Sequence, residues 1–119
     1  MRKIVTGAGL AAVFVLGLGN ALAAEMPVTE NEKTYVLYHK AIIAAERCYN
    51  LDFDQDQHSA MARVINSKIN HDIGAKRLNL MATAKADVGK KTSGGCAGKP
   101  EVQQWLSLYE SELKPALPY

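Results

Sequence analysis

The chain has 119 residues, 48% of them hydrophobic and 22% charged, with a formal net charge of +2. That length admits one ordinary domain rather than two. The slight basic surplus gives no electrostatic footprint for nucleic acid, which needs a basic face.

The first stretch, "MRKIVTGAGLAAVFVLGLGNALA", has the anatomy of a secretory signal peptide over residues 1–23. Arg2 and Lys3 form a positive start, Ile4 to Leu18 an apolar run, and Ala21-Leu22-Ala23 a small-x-small cleavage pattern. The run falls short of the ~20 residues that span a bilayer and is broken by glycines. No cysteine follows it to carry a lipid. The expectation is a periplasmic or secreted protein with no membrane association once the leader is removed. Of the 14 Lys and Arg residues, Arg2 and Lys3 leave with the leader, so the remaining 12 balance the 12 Asp and Glu.

Residues 24–119 are then one helical domain, small enough to gain from a covalent staple. The two cysteines, Cys48 and Cys96, supply it. In an exported chain they are expected to form one disulfide, worth on the order of 3–4 kcal/mol by loop-closure entropy. No CxxC motif points to redox or metal chemistry for this pair.

Helical periodicity predicts a first helix near 30–49, where Leu37, Tyr38, Ala41, Ile42, Ala45, Cys48 and Tyr49 recur at core spacing. Thr29 and Glu32 form a candidate capping box at its start. A second helix is expected near 55–69, with Met61, Val64, Ile65 and Ile69 inward. Asn70-His71-Asp72 and Gly74 read as a turn, Asp72 capping a third helix near 73–90 with Leu78, Met81, Ala82 and Val88 inward. Gly94, Gly95 and Gly98 place "KKTSGGCAGK" in a loop. Pro100 suits the first turn of a last helix near 100–113, whose core face is Val102, Trp105, Leu106, Tyr109 and Leu113. No run alternates with period two. The fold class is all-α: a small single-domain bundle of about four helices, antiparallel where the turns are tight, with one Cys48–Cys96 disulfide.

The stretch "DFDQDQH" places Asp52, Asp54 and Asp56 at alternate positions, as a calcium loop does. Gln57 stands where such a loop needs Gly, and Arg63 where it needs a bidentate Glu. The residues read instead as a helix start: Asp54 the N-cap, Gln57 its reciprocal partner, Asp56 in the first turn and Phe53 dropping into the core. His58 and Met61, three apart on one helix, make a poor copper pair, because Met61 belongs to the core stripe and two ligands are too few. The histidines are expected to be solvated. No metal site and no cofactor is predicted, and the missing CxxCH excludes attached c-type haem.

Ser59, Ser67, Ser93, Ser107 and Ser111 stand in no nucleophile elbow, and Ser59 points away from its neighbour His58. Glu110 and Glu112 are expected to be solvated charges. No catalytic residue is assigned, and the chain is expected not to be an enzyme. Tyr35, Tyr38, Tyr49, Trp105 and Tyr109 concentrate on the first and last helices and are expected to pack inside. The alternative is a groove between those helices for an apolar ligand or peptide.

Cys48 before a turn, in "ERCYNLDF", and Cys96 shortly before an amphipathic helix containing a Trp give the exported chain an outline. It resembles the small periplasmic acid-stress chaperones of the HdeA/HdeB type. The resemblance implies acid-triggered binding of unfolded clients, and it carries over no functional residue. In acid the 12 basic side chains and three histidines of residues 24–119 would be opposed by no carboxylate charge. That self-repulsion loosens a compact fold. The function expected is that of a small exported non-enzymatic binding protein with a protein partner or client. An acid-stress chaperone and a small-molecule or metal carrier are the alternatives.

Overall fold

The computed structural model describes residues 25–69 and 73–118; the leader assigned to residues 1–23 and the turn assigned to Asn70, His71 and Asp72 lie outside them. Four α-helices carry the fold, and there is no strand among the described residues. They are α1 (Glu30–Cys48), α2 (Gln55–Ile69), α3 (Arg77–Lys91) and α4 (Pro100–Leu108).

Local chemistry sets the helix ends. Thr29 caps α1: its hydroxyl accepts from Glu32 N–H at 3.0 Å, and the Glu32 carboxylate reaches back to Thr29 N–H at 3.3 Å. At the far end Leu51 N–H donates to Glu46 O, and Asn50 takes a left-handed φ of 55°. This is a Schellman-type stop, with Asn in the place most often held by Gly. Four residues on, Gln57 N–H donates to Asp54 Oδ1 at 2.8 Å and Asp54 N–H to Gln57 Oε1 at 2.9 Å, which starts α2. Phe53, just outside this cap, is buried and meets the His58 ring edge-on at 5.8 Å. Here an imidazole stands where a hydrophobic staple uses an apolar partner.

The third helix begins later than its periodicity suggests. A 3₁₀ turn, Gly74–Lys76, precedes it, with Gly74 at φ 64°, a conformation costly for a side chain with a Cβ. Its inward stripe is also rotated from the expected one. Leu80, Ala84 and Val88 are fully buried, whereas Leu78 is 69% exposed and Met81 half-buried. Leu37 on α1 and Tyr49 at its C-terminal cap likewise face outward, while Tyr35, Val36 and Ala44 take core positions beside Tyr38, Ala41, Ile42 and Ala45. The inward face of α4 is Val102, Trp105 and Leu106, and it continues through a π turn, Tyr109–Leu113, that buries Tyr109 and Leu113. Pro115 falls in a closing 3₁₀ turn, Lys114–Ala116.

Helix α1 is the hub, packing against α2, α3, α4 and the π turn. Along it, Glu32 meets Lys76, Arg77 stacks on Tyr35, Lys40 meets Asp87 and Arg47 meets Thr92. The pairs advance together on both segments, so α1 and α3 run parallel and pack directly on each other. The disulfide joins Cys48, the last residue of α1, to Cys96 in the loop before α4, with Cα atoms 5.8 Å apart.

Candidate functional site

Contacts between α1 and its neighbours are polar as well as apolar, and the polar ones rest on ionisable groups. At the start of α1 the buried Glu32 carboxylate accepts from Val28 N–H at 2.8 Å and lies 3.1 Å from Lys76 Nζ. The Val28 bond first, and then Lys76, hold its carboxyl below the ordinary carboxylate range. Midway, Lys40 Nζ lies 2.7 Å from Asp87 Oδ2 of α3 and 5.5 Å from the centre of the Trp105 ring. Burial pushes the Asp87 carboxyl up, but the Lys40 bond and the charges of Lys40, Lys91 and Lys90 outweigh it and leave it lowered.

A third junction lies at the π turn. Tyr38 donates its phenolic proton to Glu112 Oε1 at 2.8 Å, and Lys68 of α2 reaches the same oxygen at 3.0 Å. One carboxylate therefore joins α1, α2 and the end of the chain. Lys68 first, then Tyr38, hold the Glu112 carboxyl low, while burial and then Glu112 hold the Tyr38 phenol high. Glu112 is thus no free surface charge. It follows Tyr109 by three positions, the spacing that puts it on the same side as a core ring, and this was the signal available in the sequence.

His39 also departs from expectation. It is half-buried on α1, with its ring 4.4 Å from that of Tyr35. Burial, with the positive charge of Arg77 and of His58 when protonated, lowers its pKa to about 4, so the imidazole is neutral at pH 7. Its spacing from Tyr35 and Ile42, four and three positions, was the signal in the sequence against a solvated reading. His58 is exposed, as expected, with Nε2 3.8 Å from Glu46 Oε2. Burial pushes the Glu46 carboxyl up, against the pull of His58.

His39, Glu46, His58 and Met81 share a cleft of about 320 Å³ between α1, α2 and α3. Met61, the thioether placed beside His58 by sequence, is instead fully buried in the core. Lys85 also lines the cleft, and its ammonium opposes a cation there. No serine lines it. Among the described residues no three His, Cys, Asp or Glu side chains form a group able to hold a metal ion. Asp52, Asp54, Asp56 and Arg63 are all exposed, and Asp54 is engaged in its cap.

Of the aromatic residues on the first and last helices, only Tyr49 and Tyr109 line a cleft, of about 350 Å³, with Leu51, Glu110 and Lys114. Tyr35, Tyr38, Trp105 and Tyr109 are buried in the core, and Tyr49 alone of the five is exposed, 6.1 Å from Tyr109. No helix among the described residues is long and apolar enough to cross a membrane. Comparisons with protein families, with curated proteins and with solved structures find no match.

Proposed function

We propose that the chain is a small exported binding protein without catalytic chemistry, which loosens in acid and holds unfolded client proteins on its apolar helix faces. The observation that carries this reading is the chemistry of the junctions around α1. Glu32, Asp87 and Glu112 each tie one segment to another as a carboxylate, and His39 packs as a neutral imidazole. The signs agree. A carboxyl lowered in the fold contributes stability above its unfolded pKa, which is lost as pH falls through the folded value. A histidine lowered in the fold costs stability as pH falls below about 6.5, where the unfolded chain takes up the proton first. Glu46, raised in the fold, acts in the opposite direction but stands alone among these carboxyls.

What acid does not cut is the Cys48–Cys96 bond, which keeps the loosened chain from full expansion. The faces released would carry Tyr35, Val36, Ile42, Leu80, Val88, Trp105 and Leu106, a supply of apolar surface suited to unfolded chains. The test is light scattering of an acid-denatured enzyme with and without this protein at pH 2–3 and pH 7, alongside Trp105 fluorescence. Suppressed aggregation in acid only, with a red shift of Trp105, is expected. A protein that stays folded at pH 2–3 and leaves aggregation unchanged would sink the proposal.

A further inference from the structure

The segment entering α1 is fastened to α3 by a set of polar contacts. Glu25 N–H donates to Thr83 Oγ1 at 2.8 Å, and the Thr83 hydroxyl donates to Glu25 O at 2.6 Å. Asn79 Nδ2 donates to Glu25 Oε1 at 2.9 Å, and Lys76 Nζ lies 3.9 Å from Glu25 Oε2. At the other end of the segment Val28 N–H is held by Glu32, whose second oxygen is the one 3.1 Å from the same Lys76 Nζ. One ammonium therefore stands between two carboxylates, one on the entering segment and one on α1. The apolar side chains of the segment contribute little to this attachment, since Met26 and Val28 are both exposed. Met26 and Pro27 form one wall of a groove of about 360 Å³, with Val36 and Ala86 in its lining and Lys40, Asp87 and Lys90 around it.

We infer that Glu25–Val28 is an acid-released strap on the α1–α3 groove, latched by Lys76 between Glu25 and Glu32. The inference deepens the proposed acid response and rests on it for its purpose. Because the attachment is polar rather than apolar, protonation weakens it locally, without first unpacking the core. The groups facing the latch are Lys76 of the 3₁₀ turn, Asn79 and Thr83 of α3, and Thr29 at the cap of α1. Arg77 is turned toward Tyr35, and Lys33 pairs with Glu30. Once Glu25 and Glu32 are neutral, Lys76 has lost both of its partners. The Thr83 bonds to the Glu25 backbone and the neutral Asn79 contact are then all that hold the segment, and they open and close with it. Across the groove, protonation of Asp87 frees Lys40, so the same drop in pH loosens the opposite side.

Residue-resolved amide hydrogen exchange on the oxidised protein at pH 7 and in steps down to pH 3, expressed as protection relative to the intrinsic rate, tests the strap. Glu25 and Val28 are expected to lose about tenfold or more in protection at a pH where Val88 and Leu106 amides keep theirs. Lys76→Gln, on the exposed turn, should produce that loss at pH 7, and Thr83→Val should lower Glu25 protection at every pH. Strap amides that stay protected until the core opens, or that ignore Lys76→Gln, overturn the inference. Client assays on the same samples separate the two readings. A strap that opens without any client protection defeats the chaperone reading alone, and client protection with the strap still closed defeats the strap alone.

Discussion

The Tyr38 phenol and the Glu112 carboxylate, 74 positions apart in the chain, are joined by a hydrogen bond of 2.8 Å. It links the middle of α1 to the π turn at the end of the fold, and Lys68 makes it a three-way junction. Tyr38→Phe keeps the ring in the core and deletes only this bond. It should cost about 1 kcal/mol at pH 7, in line with one partly exposed hydrogen bond. Since Glu112 is held low in the fold, the contribution is present above the usual carboxylate range and fades as pH falls through the folded value. Urea unfolding of the parent and the variant at pH 7 and pH 3 should therefore show a gap at neutral pH that narrows in acid.

His39 should set an earlier step in the acid response. Its pKa of about 4 in the fold lies below the unfolded value near 6.5, so stability present above pH 6.5 is lost between those two values. The loss is at most about 3 kcal/mol for a half-buried imidazole. His39→Leu should flatten the stability curve between pH 6.5 and 4 and leave the steeper fall below it. Chemical denaturation followed by circular dichroism across that range checks both statements.

Two leucines separated by one residue test the rotation of α3. Leu80 has no exposure and Leu78 has 69%. Leu80→Ala should cost about 2–5 kcal/mol as a core cavity, and Leu78→Ala should stay within about 0.5 kcal/mol. Equal effects would return Leu78 to the inward face that its sequence spacing suggests.

The outcome on α3 shows where sequence reading works and where it stops. Across α4 and the π turn that follows it, the stripe Val102, Trp105, Leu106, Tyr109 and Leu113 keeps helical spacing, and all of it is inside. On α3 the apolar residues Leu78, Leu80, Met81, Ala82, Ala84 and Val88 surround much of the helix, and periodicity cannot choose among overlapping stripes. The choice comes from the parallel docking of α3 on α1, a tertiary fact. Glu112 and the strap escaped for the same reason, since their partners are remote in sequence. Signals written within one turn, such as Thr29 with Glu32 and Asp54 with Gln57, were legible because both partners are local.

The Asp54 cap separates two meanings of the alternating aspartates. Asp54→Ala should cost about 1 kcal/mol as a lost N-cap, and the melting temperature of parent and variant should not respond to millimolar calcium. A calcium-dependent rise in the parent that disappears in the variant would identify a cation site instead.

Removing the disulfide by replacing Cys48 and Cys96 with Ser should lower stability by on the order of 3–4 kcal/mol at pH 7. In acid the difference should appear as size. Small-angle scattering at pH 2–3 should find the oxidised chain smaller than the Ser variant, and equal radii would remove the tether from the proposed mechanism.

The position of that bond gives the loosened molecule a definite wiring. Cys48 is the last residue of α1, α2 starts at Gln55, α3 ends at Lys91 shortly before Cys96, and α4 starts at Pro100 just after it. All four helices thus have one end rooted beside the same covalent knot. An acid-opened chain would resemble ribs splayed from a common rivet, with α2 and α3 closed into a ring and α1 and α4 as free arms. Such a body can spread around a client of irregular shape, yet each rib remains within reach of its native neighbour. When neutral pH restores the carboxylate charges, reassembly is a matter of folding the ribs shut, with no search for partners across an open chain.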